Sequence, residues 1–296
     1  MLRSVLTVGL GMSFLVGAHA QIKKFYSLNQ VTTYDTVDFT LKATSGISYI
    51  RHVDGGNPMN IFGNPDLNKI NPRFDAQTSS RTCKVRLDLE EYRSSRLGNG
   101  LAFAMLKDTK EEESNYWKFL INDSKVYNLV LNYGIGSSDI DLSGTHVNKL
   151  VINTGNADVL VKYDKEEPNL TEMDTFLVKV DLGTLIATDL DHSRARNVIA
   201  EVGFGQALLD FSHPMESSCS VKASVGAGKL EIILPREAPV IIHLKDSPLC
   251  GVTMADGYEE VENDVFVNMD YNSLADNLLT FRVDVALGSV VFSYAD

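Results

Sequence analysis

From about residue 120 onward, apolar residues alternate with polar ones up to a glycine and then away from it. Gly136 has Leu129, Leu131, Tyr133 and Ile135 before it, and Ile140 and Leu142 after it. Gly155 lies between Leu150, Ile152 and Val159, Val161. Gly183 follows Phe176, Val178, Val180 and Leu182. Gly205 has Val198, Ala200, Val202 and Phe204 before it, then Leu209 and Phe211. Gly228 has Val221, Ala223, Val225 and Ala227, then Leu230, Ile232 and Leu234. Gly288 has Phe281, Val283, Val285 and Leu287, then Val290, Phe292 and Tyr294. Strict alternation marks a strand with one buried face.

The apolar set falls at odd offsets before each glycine and at even offsets after it. A straight strand cannot do this, because its inward face would change sides. The chain must therefore turn or bulge at each of these corner glycines, where a residue without Cβ can take φ > 0. The corners are 19, 28, 22 and 23 residues apart, followed by a gap of 60. This near-periodicity predicts an all-β fold, a single-stranded β-helix or solenoid of about 20–25-residue coils. An antiparallel sandwich is the competing architecture, but it does not require the same parity break six times. Within the gap of 60, Pro239–Ile242 and Val265–Val267 read as strands, and 269–277 as a short turn.

The first third is less regular. Phe39, Leu41 and Ala43 lead to Gly46 like a worn repeat, and Val85, Leu87 and Leu89 form another strand. Ala102, Ala104 and Leu106 follow Gly100 with the parity seen after a corner. Residues 54–81, rich in Gly, Pro, Asn and Ser, read as a long loop. The charged run 107–115 reads as a solvated hairpin tip. Three segments result: a signal peptide over 1–20, an irregular β region over 21–125 that caps one end, and solenoid repeats over 126–296.

The signal rests on Arg3, the apolar run Val5–Val16 and the small residues of Ala18-His19-Ala20, which place the mature N-terminus at Gln21. The apolar run is short for a membrane span, and an N-terminal anchor is the alternative. The expected location is periplasmic, cell-surface or extracellular. Net charge is −12, and removal of Arg3 makes it one unit more negative. Nucleic acid and anionic lipid both need a positive surface, so neither is an expected partner.

Of the three cysteines, Cys219 and Cys250 form the candidate disulfide, both lying in the C-terminal half. The alternative is three small buried hydrophobes. No C-x-x-C motif suggests a zinc ribbon or a redox site.

Catalytic chemistry finds little support. Asp191-His192-Ser193 has the residue types of a hydrolase triad, but neighbours in extended chain point to opposite sides. His52, His146, His213 and His243 are scattered singly, with no zinc-ligand spacing. Asp139, Asp141, Asp158 and Asp189 could stack as an acidic ladder for Ca²⁺, yet the calcium-repeat signature is absent. Gly203-Phe204-Gly205 and Gly226-Ala227-Gly228 resemble pieces of a dinucleotide fingerprint, but both lack the third glycine and a following helix. Asn169-Leu170-Thr171 matches a glycosylation acceptor that bacterial export would leave idle. Tyr116, Trp117 and Phe119 could stack a sugar or cover an open end. No catalytic residue, metal site or cofactor is expected.

The pattern Val-x-Val-x-x-Gly-x-Gly-x-x-x-Ile-x-Leu, carried by Leu129–Ser143, Asn197–Ser212 and Ser220–Leu234, resembles the bacterial toast-rack domains. These are related to LiaF-like and adhesin-type proteins of the cell envelope. The resemblance covers residues 125–235 and 281–295. It implies a right-handed β-helix with roles in envelope-stress sensing or adhesion, and it defines no functional residues. The expected function is therefore an exported, non-enzymatic envelope protein that binds a partner protein or surface polymer. The alternative is a carbohydrate-active β-helix enzyme, a polysaccharide lyase or hydrolase. That class needs clustered carboxylates with a basic residue, and no Asp-Asp-Lys/Arg cluster stands out at the outward positions. Open solenoid ends also predict that the final strand, Ser289–Tyr294, either pairs with a loop or joins another copy in end-to-end self-association.

Overall fold

The computed structural model describes residues 23–67, 69–91, 115–164 and 166–295. The signal peptide and the strand read over 102–106 lie outside these residues, as does most of the charged run after Leu106. The N-terminal strands are β1 (Lys24–Leu28), β2 (Thr36–His52), β3 (Met59–Asn64), β4 (Arg73–Ser79), β5 (Thr82–Leu89) and β6 (Tyr116–Ile121). Two long bent strands follow, β7 (Val126–Asp141) and β8 (Val147–Lys162). Then come β9 (Met173–Val180), β10 (Thr184–Ala187), β11 (Ala195–Val202), β12 (Gln206–Asp210), β13 (Cys219–Val225) and β14 (Lys229–Leu234). The C-terminal strands are β15 (Val240–Asp246), β16 (Gly251–Thr253), β17 (Tyr258–Glu262), β18 (Val265–Asn268), β19 (Leu279–Val285) and β20 (Ser289–Tyr294).

The fold is a β-solenoid. Each rung is one bent strand, or two strands joined at a corner, and rungs stack in parallel register. β7 pairs with β2 on one side and β8 on the other, and the ladder continues through β9/β10, β11/β12 and β13/β14. The same ladder crosses residue 125 without a break, because β2 matches β7 from Thr36↔Val126 to Ile50↔Ile140. Inward residues of the two faces meet in one core, for example Phe211, Phe281 and Phe292, whose rings lie 5.6 and 6.1 Å apart. Each fully buried Val, Leu, Ile or Phe stabilises the rung by about 1.5–3 kcal/mol.

Rung order departs from chain order at both ends. The β5/β6 rung lies outside β2, and the chain then returns to lay β7 on the inner side of β2. At the other end β19/β20 slots between β13/β14 and β15/β16. The final strand is therefore internal, not the open edge the sequence suggested. Antiparallel strands cover most of the outermost positions, β4 on β5 and β1–β3 on β6 at one end, and β18–β17 on β15 at the other, where β16 is a parallel edge on β20. The segment read as a loop, 54–81, contains β3 and β4. Its polar composition reflects β4, an edge strand exposed along nearly its whole length.

The corners explain the glycines. Gly46 and Gly136 take φ of +121° and +125°, which a side chain rarely adopts. At Gly183, Gly205, Gly228 and Gly288 the cause is close stacking: a Cβ would run into the carbonyl oxygen of the rung above. Gly155 is not a corner. Register aligns Gly136 with Ala157, so Ala157 turns that rung and Gly155 precedes it by two. There the Thr154 hydroxyl accepts from the Ala157 N–H at 3.1 Å and donates to its carbonyl at 2.8 Å.

Candidate functional site

Parity breaks one residue earlier than the apolar spacing implied. The last inward residue of each first strand sits three before the corner, as at Val180, Val202 and Val285. The residue just before the corner points out. Ile135, Leu182, Phe204 and Leu287 are 54, 63, 73 and 61 % exposed. The N–H groups of Leu182, Phe204, Ala227 and Leu287 each donate to a carbonyl of the rung above, at 2.7–2.8 Å. These side chains therefore form one row along the corner, interrupted by Asn156 beside Ile135. The row starts at a polar rung, where Ser45 bonds Glu91. Charges flanking the ridge are paired with each other: Lys179–Glu201 at 3.3 Å, Lys229–Glu231 at 2.9 Å and Lys245–Asp284 at 2.8 Å. The result is an aliphatic ridge with one aromatic, flanked by these three ion pairs.

The second face carries a polar network that the sequence did not reveal. Arg51 contacts Asp139 at 2.5 Å, and Lys162 lies 3.9 Å from Asp139 and 3.7 Å from Asp141. An Asp-Asp-Lys/Arg cluster therefore does exist, across three rungs, beside a groove lined by Tyr49, Asp158 and Ile186. The acidic ladder does not form. Asp139 registers beside Leu160, and Asp158 beside Ser137 and Thr184, so these carboxylates occupy different columns.

Asp191, His192 and Ser193 lie on a short 3₁₀ turn flanked by left-handed Asp189 and Arg194. This curvature makes adjacent side chains meet, contrary to the extended-chain expectation: His192 Nδ1 is 2.7 Å from Asp191 Oδ2. His213, from the loop after β12, brings its Nδ1 within 3.8 Å of Asp191 Oδ1. Burial pushes the Asp191 carboxyl up to about 6, against the pull of both imidazoles. Ser193 takes no part, since its buried hydroxyl donates to the Leu190 carbonyl at 2.5 Å.

The remaining candidates resolve structurally. Trp117 and Phe119 are buried in the core and offer no sugar platform. Asn169 is fully buried; its amide donates to the carbonyls of Val147, Thr171 and Ser193, and its oxygen accepts from the Val147 N–H. All three cysteines are free, so the Cys219–Cys250 bridge is absent. Cys219 registers with Leu279 at the start of β19, whereas Gly251 registers with Ser289 just past the corner. A rung length thus separates the two thiols, beyond the ~7 Å Cα span that a disulfide tolerates.

Residues 64–183 match the N-terminal domain of toast_rack, DUF2154. That segment is similar to a toast-rack domain. Part of the toast-rack match covers β7, β8 and the corner at Gly183, the regular centre of the stack. Among solved structures, a putative cell adhesion protein from Clostridium sporogenes ATCC 15579 is 13 % identical, over 93 % of this chain and 99 % of that one, with a TM-score of 0.45. A putative adhesin from Bacteroides fragilis NCTC 9343 is 12 % identical, over 92 % and 96 %, with a TM-score of 0.28. No curated protein matches the chain. Among the described residues no helix is long and apolar enough to cross a membrane.

Proposed function

We propose that this chain is an exported, non-enzymatic binding protein of the cell envelope that docks a partner protein through its corner ridge. The observation that carries this reading is the row Ile135, Leu182, Phe204 and Leu287, held exposed by rigid rungs. A glycan would favour aromatic platforms and unpaired polar groups, whereas this row is mostly aliphatic and three ion pairs flank it. Desolvating each side chain supplies roughly 1–2 kcal/mol. The ridge alone is smaller than a standard interface, so the partner also covers the flanking faces or binds transiently. The test is a photo-crosslinking residue at Phe204 in the producing cells, with exposed Glu259 on the end strand β17 as the control away from the ridge. Discrete adducts to another protein from Phe204 alone are expected; equal or no such adducts from the two sites contradict the reading.

The Arg51–Asp139–Lys162–Asp141 cluster favours a second reading, a carbohydrate-active β-helix enzyme. Incubation with acidic polysaccharides and product analysis decides it. Cleavage abolished by Asp139→Asn establishes the enzyme; absence of products removes it.

A further inference from the structure

We propose that copies of this chain stack head to tail, with β1 and β4 of one copy continuing β16 and β17 of the next. One unbroken ladder runs from β1 through β3, β6, β2, β7 and β8, then β10, β12, β14 and β20, to β16. Among the described residues β1 pairs only with β3, and β16 only with β20. Each therefore leaves one edge of backbone N–H and C=O groups unpaired. On the other face, β4 against β5 and β17 against β18 leave the same free edges. Such edges template pairing with another chain.

The strand directions fit a second copy. β1 and β6 both lie antiparallel to β3, so β1 runs with the rungs, as β16 does. β4 runs against β5, whereas β17 and β15 both lie antiparallel to β18 and so run the same way. A copy translated along the stack axis pairs β1 with β16 in parallel and β4 with β17 antiparallel, both regular ladders. The core is open at the same two edges. Tyr26 stands at the level of Ile61, Phe119, Ile50 and Phe292, all buried, yet is itself half-buried. Val252 and Met254 are half-buried at the far end. Stacking takes these apolar ends out of water. Charge selects the orientation. Residues 246–281 contain no Lys, Arg or His, and Asp256, Glu259, Glu260 and Glu262 are exposed. At the opposite end Lys23, Lys24 and Lys84 enter no ion pair among the described residues. Two acidic ends repel each other, whereas the acidic end and the lysine end attract. A contact made by translation cannot close on itself, so it builds a linear chain.

The test uses the chain from Gln21 onward, without an N-terminal tag and with Cys250→Ser. Phe25 and Thr253 are exposed and share one level of the ladder. Within one chain ten strand spacings hold them about 48 Å apart, so a disulfide between them forms only between copies. Across the joint they are neighbours at about 4.8 Å, within disulfide reach. Phe25→Cys combined with Thr253→Cys should give a ladder of dimers, trimers and longer chains under mild oxidant. Peptide mass mapping should find position 25 bridged to position 253. Monomer alone, or bridges only between like positions, overturns the proposal. A second variant removes one edge donor. The Gly251 N–H donates to the Gly288 carbonyl, so the Val252 N–H points to the free side. Val252→Pro should leave thermal unfolding of the monomer in place and weaken association at least about tenfold in sedimentation velocity. Association equal to that of the unmodified chain would also overturn the proposal.

Discussion

At the residue scale, glycine has two distinct jobs two positions apart. A Cβ on Gly228 would collide with the Gly205 carbonyl, whereas one on Gly226 would stand 3.0 Å from the Gly203 oxygen, a contact the neighbour can relieve by a small shift. Gly228→Ala should therefore cost about 1–3 kcal/mol, and Gly226→Ala clearly less. Urea midpoints of the two variants check this, and equal midpoints would contradict it. The thiols differ in the same local way. Burial pushes the Cys219 thiol up to about 12, while Cys250 is half-buried in a turn. At pH 8 an alkylating reagent should modify Cys250 and spare Cys219 until the chain unfolds, because only the thiolate reacts. A mass matching a Cys219–Cys250 bridge would refute the assignment. Alternation alone could not identify the exposed residue before each corner. Phe204 is in phase with Val202, and only the turn geometry sends one out and the other in.

At the scale of elements, the corner-to-corner repeat was legible because inward residues obey one parity over every rung. The ends were not. β19 and β15 carry equally apolar inward faces, so nothing in the pattern says which one lies against β13. β4 lacks any inward row and reads as loop. The turns are set by buried amides: Asn169 fixes the 3₁₀ turn and β8 together, and Asn268 does the same for β15 through the Val240 N–H and the Ala238 carbonyl. Asn169→Ala should strand several buried backbone groups and destabilise by about 2–3 kcal/mol. Thermal unfolding measures it; a loss under about 0.5 kcal/mol, the size of an ordinary surface change, would show the amide to be dispensable. The acid–imidazole cluster escaped sequence reasoning because His192 and His213 are 21 residues apart and meet only when successive rungs stack.

For the whole molecule, antiparallel strands cover most of the two ends, and the end strand β17 carries charge. β17 presents Glu259, Glu260 and Glu262, an edge that repels a second copy of itself. Export predicts a mature chain beginning at Gln21, checked by intact mass of protein recovered from the envelope or medium; an uncleaved Met1 in that fraction would contradict it. The reading of function depends on the ridge residues stacking in one column along the corner. Its order is Ile135, Asn156, Leu182, Phe204, Ala227, Leu287, although 60 residues separate the last two. Spin labels at Ile135→Cys and Leu287→Cys, with Cys250→Ser, measure it directly. Five rungs at about 4.8 Å put the two sites about 24 Å apart. A narrow distribution near that distance is predicted, and one centred beyond about 35 Å, longer than that stack allows, would contradict the stacked ridge and the function built on it.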